Sequence, residues 1–312
     1  MKTEHLEYML LTAELGSISK AARELYMTQP QLSNIIRDME GALGFSVFVR
    51  KQNGVIPTPQ GKRFLVYARR ILNEAQNIKD LRFQEKDHLR FQVSSVKTSL
   101  VMDCFLQLMD RYQESEYRFS YYENGNPRAV EDVYTQSSDL GVVYLQPAQR
   151  KAFLSDLTAR ELTYHTIKVF RPHIILSRDH PLLRTGEPVR REQLYDYGML
   201  RYAKGLLLGT EQMDNLWYDA FLDTSRIKRY IYVYDRATLH NLLVNTNFFT
   251  VGTDSGIYQE DIHFMASIPF TDPEPPQNAI LEMGYITNNH VDFASNVIAN
   301  EFVDLLMKAY AK

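Results

Sequence analysis

Cysteine is nearly missing from this chain: Cys104 stands alone, which excludes an internal disulfide framework and fits a reducing compartment. A small, buried apolar role is the plainest account of that thiol. Long apolar runs are missing too. No stretch reaches the ~20 residues that span a bilayer, and residues 1–15 carry acids among their apolar positions, unlike a signal peptide. A cytoplasmic protein without membrane contact is expected. The marks of common enzymes are also wanting, with no G-x-G-x-x-G and no P-loop. The run Gly252-Thr253-Asp254-Ser255-Gly256 lacks the G-x-S-x-G spacing of a nucleophile elbow. The 8 His are scattered, with no H-x-x-x-H and no Cys/His cluster, so no metal ligands can be named and no cofactor is expected. An enzyme is the rival reading that these gaps speak against.

One further absence is local. From Gly41 to Asn73 there is no acid, while Arg50, Lys51, Lys62, Arg63, Arg69 and Arg70 all fall in that run. The net charge of −3 therefore hides an asymmetry: residues 1–90 hold 14 Lys+Arg against 10 Asp+Glu, and the remainder 21 against 28. Bases without neighbouring acids make a positive field that attracts phosphate. The N-terminal part is the nucleic-acid end.

What is present there is a helix pair. Residues 2–14 predict a bracing helix with Leu6, Met9, Leu10 and Ala13 inward. Ile18, Ala21, Ala22 and Leu25 then recur at helical spacing, Tyr26-Met27 make a turn, and Thr28 with Gln31 predicts a capping box for a second helix. The buried stripe of that helix is Leu32, Ile35, Ile36, Met39 and Leu43, which leaves Gln29, Gln31, Ser33, Asn34 and Arg37 at its front and outer side. Amides pair with adenine edges, and Arg with guanine or phosphate. Helix-turn-helix proteins place the start of such a helix in the major groove. A solvated face on an ordinary bundle is the blander alternative.

After Gly44, the pattern Phe45, Val47, Val49 predicts a strand, Gln52-Asn53-Gly54 a hairpin turn and Val55-Ile56 a second strand. This makes a wing whose Arg50 and Lys51 would lie along a phosphate backbone or enter the minor groove. A long helix starts at Thr58-Pro59-Gln60-Gly61 and runs to about Phe83. Phe64, Ala68, Ile71, Ala75 and Ile78 follow a 3.5-residue repeat on it, which favours pairing with a twin; docking onto its own domain is the other possibility.

From about residue 91 strands alternate with helices, the signature of mainly parallel sheets. Strands are expected at 91–96, 117–123, 139–145, 173–177, 198–202, 229–234, 248–252, 262–270 and 279–287. Helices are expected at 98–113, 128–136, 190–196, 211–223, 235–246 and 291–310, with a Pro-rich loop at 272–277. Ligands of such sheets bind beyond the carboxyl ends of strands. Lys97, Thr98 and Ser99 follow the first strand at a helix start, a place for a carboxylate or other small anion; simple capping by Thr98 or Ser99 is equally open. Tyr202 and Thr253 hold matching positions further on, while Tyr117, Tyr121, Tyr122, Tyr134 and Tyr144 read as packing.

Residues 1–83 as a whole resemble the DNA-binding half of the LysR-type transcriptional regulators. The resemblance is carried by GSISKAARELYMTQPQLSNIIRDMEGALG, then VFVRKQNGVIPTPQG, then the long helix. It implies a multidomain chain: an all-α winged helix-turn-helix domain over 1–58, a dimerising linker helix over 59–88, and an α/β effector domain over 89–312 with the two-lobed fold of periplasmic binding proteins. The lobes would comprise about 89–165 with 263–312, and about 166–262. It implies double-stranded promoter DNA, a small-molecule effector (an anion by the residues above), RNA polymerase, and a homodimer or homotetramer as partners. The DNA contacts would fall on Ser17, Thr28, Gln29, Pro30, Gln31, Ser33, Asn34, Arg37, Arg50 and Lys51. The effector contacts would fall on Lys97, Thr98, Ser99, Tyr202 and Thr253. Three positions depart from the family pattern: Asn34 replaces a basic residue, Val49 sits where an acid is common, and Pro57 interrupts the usual Leu. The first would change which base step is read. An α/β half that serves only oligomerisation or protein partners, with no ligand, remains the second reading.

Overall fold

The computed structural model describes residues 2–51, 54–80, 89–203, 221–253, 264–270 and 279–310, and the chain divides into two compact units near residue 88. The first unit begins with α1 (Thr3–Leu15), α2 (Ile18–Glu24) and α3 (Gln29–Leu43). Leu6, Met9, Ala21, Ala22, Leu32, Ile36 and Met39 share one core. Thr12, not the expected Ala13, is the fully buried residue on the last turn of α1. Its hydroxyl donates to Tyr8 O at 2.7 Å, which makes a polar side chain tolerable there.

The wing is β1 (Phe48–Lys51) paired antiparallel with β2 (Gly54–Pro57). The strand starts later than its alternation predicts. Val47 and Phe48 both go into the core, and Val49 faces outward. Gly54 has φ 138°, and a Cβ on it would sit 2.1 Å from Gly16 O. That closeness lets Val55 N donate to Gly16 O at 2.9 Å, tying the wing to the turn before α2. Val47 N and Phe48 N both donate to Glu40 Oε1, at 2.7 and 2.9 Å, so a carboxylate on α3 anchors the start of the wing.

The long helix is α4 (Pro59–Asp80); the remainder of the expected linker, residues 81–88, lies outside the described residues, as do Gln52 and Asn53 of the hairpin turn. Its apolar stripe is divided between its own domain and solvent. Phe64 and Ala68, with Leu65 and Leu72, pack into the core of the first unit, and Arg69 pairs with Glu14 of α1 at 2.6 Å. Ala75 is half-buried. Ile71 and Ile78, joined by Tyr67, stay exposed. The 3.5-residue repeat serves the helix's own domain at its start, and Ile71 and Ile78 further along it are exposed among the described residues.

The second unit holds two five-stranded sheets. The first contains β3 (Leu89–Ser95), β4 (Tyr117–Glu123), β5 (Leu140–Leu145), β6 (Leu162–Phe170) and a late strand, β12 (Leu281–Asn288), in the order β4-β3-β5-β12-β6. The helices α5 (Ser99–Arg111), α6 (Asn126–Tyr134) and α7 (Arg150–Ala159) belong with it. So does the closing helix (Val297–Tyr310), whose Phe302 lies 5.2 Å from Phe91 in the core. Cys104 is buried in the same core; burial and the neighbouring Asp103 push its thiol up to about 12, so it has no thiolate chemistry at neutral pH.

The second sheet has the order β11-β7-β10-β8-β9, built from β7 (Pro172–Ser177), β8 (Gly198–Tyr202), β9 (Tyr230–Val233), β10 (Phe248–Thr253) and β11 (Met265–Pro269). Between them come two single-turn helices, α8 (Pro181–Arg184) and α9 (Arg191–Leu194), and then α10 (Arg236–Asn245); the closing helix Val297–Tyr310 is α11. The crossover strands β3, β4 and β5 are parallel, as are β8, β9 and β10. The strands that carry the chain between the sheets pair antiparallel: β12 with β5 and β6, and β7 with β10 and β11. Mainly parallel sheets were therefore half the answer. The sequence also gives no sign of α7 or β6, because 150–170 alternates weakly and β6 is only half-buried along most of its length. The expected helix at 211–223 falls mostly outside the described residues, and the Pro-rich loop at 272–277 wholly so.

Candidate nucleic-acid interface and inter-lobe site

Each element of the first unit presents its polar residues through identifiable local chemistry. Ser17 caps α2, its hydroxyl accepting from Lys20 N at 3.3 Å. Tyr26 takes a left-handed turn conformation, φ 53°, and is 99% exposed. The capping box at the start of α3 is present: Thr28 Oγ1 accepts from Gln31 N at 3.4 Å, and Gln31 Oε1 accepts from Thr28 N at 2.9 Å. A third bond, from the Thr28 hydroxyl to Gln31 Oε1 at 2.9 Å, commits that amide oxygen to the cap. Gln31 thus shapes the helix start, with only its amine left to turn outward.

Pro30 occupies the first turn, where its missing N–H costs no bond. Gln29, Pro30, Gln31, Asn34 and Arg37 are exposed, and Ser33 is partly so. Gln29 Nε2 lies 2.8 Å from Ser33 Oγ, and Arg37 Nη2 donates to Asn34 Oδ1 at 2.5 Å. The outer face of the helix therefore shows two hydrogen-bonded pairs of amide, hydroxyl and guanidinium groups. Arg50 and Lys51 are exposed on β1, and the bond from Val55 N to Gly16 O holds that strand pair against the helix-turn-helix. The arrangement can place donors on phosphates from the wing and on base edges from α3.

A second cluster forms where the two sheets of the second unit meet. Lys97 follows β3, Glu123 ends β4, Tyr202 ends β8, and Arg236 begins α10 just after β9; all are at carboxyl ends of parallel strands. The Lys97 ammonium sits 4.3 Å from the centroid of the Tyr202 ring and also donates to Tyr234 O. Arg236 Nη1 donates to Ser99 Oγ at 3.2 Å, and its Nε is 3.0 Å from Glu123 Oε1 in an ion pair only about one-fifth exposed. Asp235 caps α10, accepting from Thr238 N at 2.8 Å. That backbone bond leads the causes that hold its carboxyl below the usual range. Burial pushes the Tyr121 phenol beside this cluster up, so it stays protonated.

Of the expected effector residues, Lys97, Ser99 and Tyr202 are brought into this contact set. Thr98 is buried at the N-cap of α5 without a side-chain capping bond. Thr253 is buried at the end of β10 opposite Pro172 and joins none of these contacts. The residues that sequence reasoning missed are Glu123 and Arg236. Arg236 occupies the same place after β9 that Lys97 occupies near β3, a strand-to-helix junction, and that repetition was the available signal. Glu40, the wing anchor, had none, because its partners are backbone groups seven and eight residues away.

A winged helix-turn-helix with a basic wing, followed by a two-sheet α/β unit, defines a DNA-binding transcription regulator rather than an enzyme. Residues 3–62 match the family model described as "Bacterial regulatory helix-turn-helix protein, lysR family". The HTH-type transcriptional regulator TdcA of Escherichia coli (strain K12) is 27% identical over 80% of this chain and 76% of that protein. The Hca operon transcriptional activator HcaR of the same organism is 38% identical over 25% of this chain and 27% of that one. In fold, the chain matches the solved structure of full-length CbnR complexed with its target DNA, at a TM-score of 0.53 and 16% identity, covering 99% of this chain and 100% of that one. The chain thus carries a helix-turn-helix domain of the lysR family at residues 3–62 and is similar over most of its length to an HTH-type transcriptional regulator. Among the described residues no helix is long and apolar enough to cross a membrane.

Proposed function

We propose that this regulator binds promoter DNA through α3 and the wing, and that a small anionic molecule held between the two sheets of the second unit controls that binding. The observation that carries the ligand half is the convergence of two cations, Lys97 and Arg236, on the start of α5 from opposite sheets. A carboxylate there would meet both charges and the free N–H groups of the helix start. Glu123 supplies a carboxylate to Arg236 when no ligand does. An anion that replaced it would alter the contacts joining the sheets, and it could shift the DNA-binding arrangement only through its different affinity for the two states.

The working division is 1–58 for DNA, 59–88 for the linker and 89–312 for the effector, acting as a homodimer or homotetramer in the cytoplasm, with RNA polymerase as a partner on the promoter. A twin is expected on general grounds, since helix-turn-helix units read paired half-sites. Fluorescence anisotropy of the full chain on a duplex from its own upstream region, beside a scrambled duplex at two salt concentrations, tests the DNA half. Tight, salt-sensitive binding with a large preference for the native duplex is expected. Equal, weak binding to both duplexes would overturn it.

A further inference from the structure

The outward face of α3 contains two joined pairs, and they differ in what chemistry permits. In the pair Gln29–Ser33 the hydroxyl can either donate or accept, so the Gln29 amide can turn either way. The pair Asn34–Arg37 has no such freedom. A guanidinium carries donors only, so the group that faces it must be the Asn34 oxygen. The Asn34 amine must then point away, toward solvent or DNA.

This changes what Asn34 can read. A solitary Asn offers one donor and one acceptor and matches the adenine edge, where N6 donates and N7 accepts. With its oxygen turned to Arg37, Asn34 presents its amine outward, and its acceptor is drawn away from the groove. The remaining N–H groups of Arg37 are donors too, both side chains are exposed, and among the described residues Arg37 has no acidic partner to divert it. One turn of helix separates the two positions, so they face one short stretch of groove.

We propose that Asn34 and Arg37 act as a single recognition unit that turns hydrogen-bond donors toward the groove and so selects guanine over adenine at one position of each half-site. Guanine offers acceptors at both O6 and N7, whereas the N6 amine of adenine would meet a donor. Arg37 is then a positioning residue for Asn34 as well as a contact in its own right. The inference rests on α3 entering a major groove, as in the function proposed above.

The test is selection of bound sites from a randomised duplex library with the full-length protein and with Arg37→Ala and Asn34→Ala, each checked for unchanged thermal unfolding. The unaltered protein should enrich sites with a guanine at which adenine is depleted at least about fivefold. Arg37→Ala frees the amide oxygen and should shift that one position toward adenine while the other positions persist. Asn34→Ala should weaken the guanine preference without any move to adenine. If Arg37→Ala lowers enrichment of all sites alike and leaves the base at every position unchanged, Arg37 is a phosphate contact and the proposal fails. Enrichment of no sequence by the unaltered protein would instead remove the DNA-reading assignment itself.

Discussion

At the scale of single residues, the polar side chains of the first unit sort by what their atoms are already bonded to. Gln31 is engaged by its own helix cap, whereas Arg50 and Lys51 stand exposed on β1 with no ion pair among the described residues. A flexible ammonium on a wing is suited to a phosphate and carries no base information. Lys51→Ala should therefore weaken binding to native and scrambled duplexes alike, and reduce the slope of log K against log salt by about one unit. A salt titration of anisotropy measures this, and an unchanged slope would rule out a phosphate contact at Lys51. Asn34 and Arg37 behave differently because the guanidinium holds the Asn34 oxygen, a constraint visible only once the side chains are in place.

At the scale of elements, the wing and the start of α4 show why some small residues recur. Thr58 Oγ1 accepts from Gly61 N at 2.8 Å and donates to Ser46 O at 2.8 Å, joining the start of α4 to the segment that leads into β1. A Cβ on Gly61 would lie 2.0 Å from Val47 O, so the Thr-x-x-Gly spacing reports a close backbone approach. The start of α8 depends on a buried imidazole. His180 Nε2 donates to Asn247 O at 3.0 Å while Nδ1 accepts from Leu182 N at 3.2 Å, which requires the neutral ring. Burial holds its pKa below the ordinary value of about 6.5, and burial shifts His165 and His240 the same way. Below about pH 6.5 the unfolded chain takes up protons that the folded chain refuses. Stability from these rings is thus complete above that pH and is lost as pH falls toward the folded values. The loss is at most about 1.4 kcal/mol per pH unit for each ring. Urea unfolding at pH 7.5 and 5.5 should show a lower midpoint at the acidic pH, and a smaller drop in His180→Gln. Equal drops in the two proteins would show that His180 is not a source of the effect.

At the scale of the whole molecule, α4 divides its apolar residues between two tasks. Phe64, Leu65, Ala68 and Leu72 complete the core of the first unit, while Tyr67, Ile71 and Ile78 are 54%, 43% and 64% exposed. Apolar side chains at helical spacing on one exposed face are suited to a second helix. The double substitution Ile71→Asp, Ile78→Asp should leave the fold intact by circular dichroism and convert the oligomer to monomer in light scattering. Retention of the oligomer would place association elsewhere. DNA affinity should fall together with the oligomer, because one unit then meets one half-site.

Much of the first unit was legible because its information is local. Caps, turn glycines, helical stripes and an acid-free basic run depend on neighbours within a turn or two of chain, and they predict α1 to α4 and the wing. In the second unit the alternation of strands and helices was readable, but 147–171 was not, since α7 and β6 take their stability from packing that a short window cannot register. The candidate sites divide in the same way. The members of α3 that face outward follow from the 3.6-residue period, and Lys97 and Ser99 follow from a strand-to-helix junction. The meeting of Lys97 with Tyr202 and of Arg236 with Glu123 and Ser99 joins positions about 105 to 140 residues apart. The sequence by itself determined the class of protein, because a helix-turn-helix with its cap and wing is encoded in contacts of short range. Only the tertiary structure decided which apolar residues of α4 remain exposed, which amide atoms of α3 remain available, and which charges confront each other between the sheets. Each of those depends on what the rest of the chain brings within a few ångströms.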